Sequence, residues 1–162
     1  MSDSPAAHER CVVAGFDGSP ASRAAVSLAV RRVRDGGRLV VVHAFRPPDD
    51  RYGQPNHQRL LDAEMARARD RIDRLPEEVP GLGSVDWGYE IIGGPAADAL
   101  AWVADAEHAT EIVIGTRGVG RARALLGSVA HDVLHTARCP VVVIPERALV
   151  DRGSSEVREP VS

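Results

Sequence analysis

The chain has 162 residues, a length that fits one domain and that can bury roughly two thirds of its unfolded surface. Hydrophobic residues make up 44% of it, charged residues 27% and aromatic residues 4%, which predicts a globular protein with an aliphatic core. The formal net charge of −3 excludes a general affinity for nucleic acids or anionic membranes, because these partners favour clustered lysine and arginine. Any anion-binding site must therefore depend on a local group of residues and not on the net charge of the chain.

The two ends of the chain differ from its middle. Residues 1–9 and 147–162 are polar and lack periodicity, so we expect flexible tails on either side of a domain at 10–146. The N-terminus lacks the apolar core of a signal peptide, and no run approaches the roughly 18 residues of a membrane span. We therefore expect a cytoplasmic protein with no membrane partner and no nucleic-acid partner.

Five segments have the composition of β-strands. Four are apolar runs rich in β-branched residues, as in the strands of a parallel sheet that is covered on both faces. The fifth, at 85–92, alternates apolar and polar residues, which predicts a half-exposed strand near a sheet edge. The four apolar runs are CVVAGF (11–16), RLVVVHAF (38–45), EIVIGT (111–116) and PVVVIP (140–145).

Helical patterns lie between these strands. Ser19 can cap a first helix with Pro20 at its first position, and a second helix is predicted at about 57–75. A third helix begins at Pro95. The fourth follows Ser128 and places four apolar residues on one face: Ala130, Val133, Leu134 and Ala137. The alternation of strands and helices predicts an α/β fold, a three-layer doubly wound domain with a five-stranded parallel sheet.

The segment GTRGVGRARALLGS (115–128), which joins a strand to a helix, is the best candidate for a binding site. Glycines let a backbone approach a ligand closely, and free N–H groups at a helix start attract anions. Gly127 and Ser128 could bind phosphate or simply cap the helix, and the glycines upstream favour binding. The segment has no acidic residue and three arginines, of which at most one should be a direct ligand: Arg117, Arg121 and Arg123.

Other polar residues have both functional and structural interpretations. Asp17 could bind a ribose hydroxyl or a phosphate-bound metal, although Asp-Gly is a strong turn signal by itself. His43, His131 and His135 could suggest a metal site, but the i, i+4 pair on the fourth helix lacks a third ligand nearby, which favours structural roles. The two cysteines form neither a CxxC pair nor a metal-ligand spacing and are expected to be buried thiols: Cys11 and Cys139.

These motifs, in this order, resemble the universal stress protein family, which comprises small adenine-nucleotide-binding domains of the adenine-nucleotide alpha-hydrolase-like superfamily. The resemblance spans about 10–146, and its most specific part is IVIGTRGVGRARALLGSVAHDVLHTARCPVVVIP. ATP-binding members resemble one another in a loop with G-x-x-G, nine residues, then G-[S/T]. Here eight residues separate Gly118 from Gly127, which could misplace a phosphate donor or be absorbed in the arginine-rich stretch.

The resemblance implies a strand order of 3-2-1-4-5 and ATP as the ligand, possibly accompanied by Mg²⁺, for which Asp17 is a weak candidate. It also implies a homodimer joined through the strand at 140–145, whose outer edge would otherwise be unpaired. Ala44 would offer its backbone near adenine. The residues implied to bind the nucleotide are Gly15, Asp17, Ala44, Gly115, Arg117, Gly118, Gly127, Ser128 and Val129.

The implied function is an ATP-binding module for stress response or signalling, which acts through nucleotide-dependent dimer or partner interactions. The shortened loop motivates an alternative, a dimeric interaction protein of the same family that binds no nucleotide. No P-loop, GxGxxG, GxSxG, HxGH or SGGxDS motif occurs, so nothing in the sequence requires catalysis. Slow ATP hydrolysis is left open, with Asp17 as its candidate base.

Overall fold

A computed structural model describes residues 10–48, 56–116 and 126–145 and arranges them around one parallel sheet. The predicted tails at 1–9 and 147–162 lie outside the described residues. The strands are β1 (Arg10–Gly15), β2 (Gly37–Phe45), β3 (Asp86–Gly93), β4 (Glu111–Gly115) and β5 (Val141–Ile144). Their order is β3-β2-β1-β4-β5, which confirms both the predicted fold class and the strand order implied by the resemblance.

Within the described ranges, four α-helices connect the strands, at the places that the sequence predicts. They are α1 (Pro20–Val33), α2 (His57–Glu78), α3 (Ala96–Ala106) and α4 (Ser128–Thr136). The Ser19 hydroxyl caps α1 by accepting a hydrogen bond from the Ser22 amide at 3.1 Å, with Pro20 in the first turn as predicted. Helix α2 continues past its predicted end and includes Pro76 in its last turn.

The strands bury alternate side chains on the two faces of the sheet, as strand geometry requires. On one face, Val12 and Val41 pack with residues of α1 and α2. On the other face, Val13 and Val42 pack with residues of α3 and α4. The helix that follows β1 therefore covers one face, and the helix that follows β4 covers the opposite face.

The burial of one leucine and of the two cysteines can be compared with the predictions from the sequence. Leu134 was expected on the buried face of α4 but is 50% exposed, because this short helix buries only Ala130 and Val133. Cys11 is buried as predicted, whereas Cys139 is only half-buried. Burial raises the pKa of both thiols above the ordinary value. Both are free thiols in the structure.

The predicted edge character of the third strand is confirmed. β3 lies at one edge of the sheet, and its Trp87 and Ile91 are half-buried while Tyr89 is exposed. At the opposite edge lies β5, whose first three residues are also only half-buried. No helix in the described part of the chain is long and apolar enough to cross a membrane.

Candidate functional site

The candidate site is a pocket at the carboxyl ends of β1, β2 and β4. β1 and β4 are neighbours in the sheet, and their following helices leave toward opposite faces, so a crevice opens between them. The empty space in this crevice amounts to about 520 Å³ and is partly continuous with solvent. Its lining consists of Gly15, Phe16, Asp17, Ser22, Val42, Ala44, Ala96, Leu100, Ile114, Gly115 and Val129.

The turn after β1 is held by its own hydrogen bonds. Asp17 Oδ1 accepts a hydrogen bond from the Ser19 amide at 2.9 Å, and Gly18 adopts a φ of 85°, which favours glycine. The Ser22 hydroxyl donates to the Ser19 carbonyl at 2.8 Å. Asp17 therefore performs the turn chemistry that its sequence suggested, and its half-buried carboxylate also lines the pocket.

Ala44 presents backbone polar groups to the pocket because β1 ends before β2 does. The last paired residues of these strands are Gly15 and Val42, and the Phe16 amide donates to the Val42 carbonyl at 2.9 Å. In a strand, the N–H and C=O of alternate residues point to the same side. The N–H and C=O of Ala44 therefore point to the β1 side, where β1 has already ended.

The two glycines at the strand ends have packing functions besides any contact with a ligand. A Cβ atom on Gly115 would lie 2.7 Å from the Cβ and 2.8 Å from the carbonyl carbon of Ala21 in α1. A Cβ atom on Gly15 would lie 3.0 Å from the side chain of Ile114. Gly115 therefore lets α1 approach β4 closely, and Gly15 leaves room for the side chain of Ile114.

The loop between β4 and α4 is closed at its base by one hydrogen bond. The Gly127 amide, which was expected to be available to phosphate, donates instead to the Thr116 carbonyl at 2.7 Å. Gly127 then begins α4 by accepting a hydrogen bond from the His131 amide. The N–H groups of Ser128, Val129 and Ala130 precede this first intrahelical bond and so have no acceptor within the helix.

Ser128 and Val129 are exposed at the start of α4, and Val129 lines the pocket. Gly127, the N-cap residue, has no side chain with which to satisfy the N–H groups of the first turn. Such a helix start attracts anions, because the free N–H groups and the helix dipole act together. Two other predicted ligands, Arg117 and Gly118, lie outside the described residues, as do Arg121 and Arg123.

The three histidines considered for a metal site are His43, His131 and His135. His131 and His135 are exposed on α4 with ring centroids 4.8 Å apart. Within the described ranges, no group of three or more histidine, cysteine, aspartate or glutamate residues is placed to hold a metal ion. His43 is buried, and its Nδ1 lies 2.8 Å from the Phe16 carbonyl oxygen.

Most of the apolar wall of the pocket was not among the predicted site residues. Val42, Leu100 and Ile114 belong to patterns that predict core residues, and nothing in their identities separates them from buried neighbours such as Val40. The one signal that could have found them is their position at the ends of strands and at the start of a helix.

Comparison with known proteins agrees with this architecture. The family model described as "Universal stress protein family" matches residues 10–145. The chain belongs to the universal stress protein family. It is 33% identical over 138 residues to a universal stress protein of Thermus aquaticus, which covers 83% of this chain and 98% of that relative.

Two of the solved universal stress proteins that resemble this chain illustrate the similarity. One is UspA from Lactobacillus plantarum, with a TM-score of 0.71, 24% identity, and coverage of 83% of this chain and 97% of the other. The second was solved in complex with cAMP and has a TM-score of 0.59, 26% identity, and coverage of 85% and 98%. The first similarity concerns the fold, and the second adds a relative that binds an adenine nucleotide.

Proposed function

We propose that this universal stress protein binds ATP in the pocket between β1 and β4. Nucleotide occupancy then alters a homodimer or the binding of a protein partner in a cytoplasmic stress response. The single observation that carries the proposal is the combination of two features on one pocket: the backbone edge of Ala44 and the start of α4, whose first N–H groups have no side-chain cap among the described residues. The backbone edge of Ala44 suits a purine base, and the start of α4 suits phosphate.

The base side of the proposed complex uses the apolar wall and the backbone of Ala44. Adenine presents an acceptor at N1 and a donor at its 6-amino group, which the N–H and C=O of Ala44 complement. Val42, Leu100 and Ile114 supply apolar surface for the ring. An otherwise apolar pocket with a few placed polar groups is the usual form of a small-molecule site.

The phosphate side of the proposed complex uses the first turn of α4. Amides of Ser128 and Val129, together with the Ser128 hydroxyl, would donate to phosphate oxygens, assisted by about half a positive charge from the helix dipole. Gly15 and Gly115 would lie beneath the ribose, and Arg117 and Gly118 are proposed to complete the phosphate site. Asp17 would approach a ribose hydroxyl or the Mg²⁺ that accompanies ATP. The relative solved with cAMP supports the choice of an adenine nucleotide.

The proposal predicts that ATP with Mg²⁺ binds the purified protein in isothermal titration calorimetry and that Gly127→Val abolishes this binding. Valine adds a branched side chain at the residue where the loop closes onto α4. Gly83→Val is the matched control, because a Cβ atom there meets nothing within 4 Å. Asp17→Ala should weaken binding more than it changes any turnover.

Two outcomes would contradict this prediction. Unchanged affinity in Gly127→Val would show that the phosphates lie elsewhere. No heat at about 1 mM ATP, where the binding free energy would be only about −4 kcal/mol, would overturn nucleotide binding itself.

A second candidate function rests on the loop length. Only eight residues separate Gly118 from Gly127, one fewer than in the pattern of ATP-binding members. In this alternative, the chain is a dimeric interaction protein that binds no nucleotide and pairs through the outer edge of β5, within 140–145. Adenine absorbance released when the purified protein is denatured would decide against this alternative.

A further inference from the structure

His43 is a buried polar side chain that the pocket does not use directly. It is 5% exposed, and its ring packs at a centroid distance of 6.5 Å from that of Phe16. Its Nδ1 lies 2.8 Å from the Phe16 carbonyl oxygen. Because a carbonyl oxygen can only accept, Nδ1 must carry the proton and donate.

The Phe16 carbonyl is also the acceptor that a longer β1–β2 ladder would use. The Phe16 amide already donates to the Val42 carbonyl. In parallel pairing, the next bond would run from the Ala44 amide to the Phe16 carbonyl. Across the described residues, the hydrogen bond shown to this carbonyl comes from His43, and the ladder pairing stops at Gly15 and Val42.

We propose that His43 is a positioning residue for base recognition, an inference that rests on the proposed nucleotide site. By donating to the Phe16 carbonyl, His43 satisfies an acceptor that would otherwise favour a bond from the Ala44 amide. The Ala44 N–H then stays available to N1 of adenine. His43 thus controls base specificity from the opposite face of the sheet, without touching the nucleotide.

An apolar residue at position 43 would reverse this arrangement. In His43→Leu the Phe16 carbonyl loses its donor, and an unsatisfied buried acceptor is costly. The nearest backbone donor that parallel pairing offers is the Ala44 amide, so the ladder would extend by one bond. In His43→Asn the side-chain amide can donate from nearly the same position as Nδ1, so the original arrangement is retained.

The first test measures amide hydrogen exchange by NMR in the nucleotide-free protein. In the wild type, Ala44 should exchange much faster than Val42, whose amide lies in the ladder. His43→Leu should slow the Ala44 exchange by about tenfold, the effect of one added hydrogen bond, whereas His43→Asn should not. Protection of Ala44 equal to that of Val42 in the wild type would overturn the proposal, even if His43→Leu fails to fold.

The second test compares AMP with 1-deaza-AMP, which lacks the N1 acceptor, by titration calorimetry. The wild type and His43→Asn should prefer AMP by about tenfold, whereas His43→Leu should bind both ligands equally. A purely structural role would lower stability without changing this ratio, so an unchanged ratio in His43→Leu overturns the proposal. If the wild type binds neither ligand, the proposed function fails, and the exchange experiment still decides the role of His43.

Discussion

The two turns that border the pocket follow neighbouring strands but use their backbone polar groups in different ways. In the turn between β1 and α1, the side chains of Asp17 and Ser19 satisfy the amides of Ser19 and Ser22. In the described part of the loop between β4 and α4, the Gly127 amide closes the base, and the N-cap residue Gly127 gives the first turn of α4 no side-chain cap. Both turns lie at the carboxyl edge of the same sheet.

This difference in hydrogen bonding suits one turn to structural support and the other to ligand binding. A helix start whose N–H groups are capped by serine and aspartate has little left to offer an anion, whereas an uncapped start has unsatisfied donors. In the proposed complex, the first turn therefore supports the pocket and supplies one carboxylate, and the second turn would supply donors to phosphate. Apart from Asp17, whose carboxylate lines the pocket, substitutions in the first turn should accordingly affect stability, and substitutions at the start of α4 should affect affinity.

The largest effect is expected where the end of β4 contacts the first turn of α1. Gly115→Ala places a Cβ atom 2.7 Å from the Cβ and 2.8 Å from the backbone carbon of Ala21, so the first turn of α1 must move. Overpacking of this kind costs about 1–3 kcal/mol, and urea unfolding should report it. Gly83→Ala is the control, because its added methyl group meets nothing within 4 Å. Equal stability of the two variants would show that α1 does not rest on Gly115.

A smaller effect is expected from Ser19→Ala, which removes the cap of α1. The Ser22 amide loses its side-chain acceptor, and loss of a helix cap costs about 1 kcal/mol. Ser27→Ala, in the middle of the same helix, is the matched control for loss of a hydroxyl group. ATP affinity should stay unchanged in Ser19→Ala. A large loss of affinity in Ser19→Ala would mean that the first turn binds ligand as well as supporting the pocket.

The sequence predicts the features of this structure that depend on neighbouring residues better than those that depend on tertiary contacts. The cap at Ser19 and the turn at Asp17 follow from short-range chemistry, and the structure confirms both. The strand order was inferred from resemblance, because composition alone does not order parallel strands. Leu134 shows the limit of periodicity: its spacing fits the buried face of a helix, but α4 covers too little of the sheet to bury it.

The pocket itself depends on where one strand ends relative to its neighbour. Val40 and Val42 have the same side chain and point to the same face, yet only Val42 lines the pocket, since β1 stops beside it. The bond from Gly127 to Thr116 likewise joins residues eleven positions apart through a loop whose path no local pattern predicts. Such features can be recognised only when the tertiary arrangement of the strands and helices is known.

The smallest effect on stability is expected from a negative charge at the start of α4, and it should oppose the effect on affinity. In Ser128→Asp the carboxylate interacts favourably with the helix dipole, which should raise stability by about 0.3–1 kcal/mol at low ionic strength. The same carboxylate repels phosphate and competes for the free N–H groups, so ATP affinity should fall in titration calorimetry.

Thr136→Asp, at the other end of α4, carries the same added charge and is the matched control. It should lower stability, because a negative charge is unfavourable at a helix C-terminus, and it should leave ATP affinity unchanged. If both variants weaken ATP binding equally, the effect comes from net charge, and the start of α4 has no special role. If only Ser128→Asp weakens binding, the uncapped helix start is the phosphate site, and the two turns differ in function as they differ in hydrogen bonding.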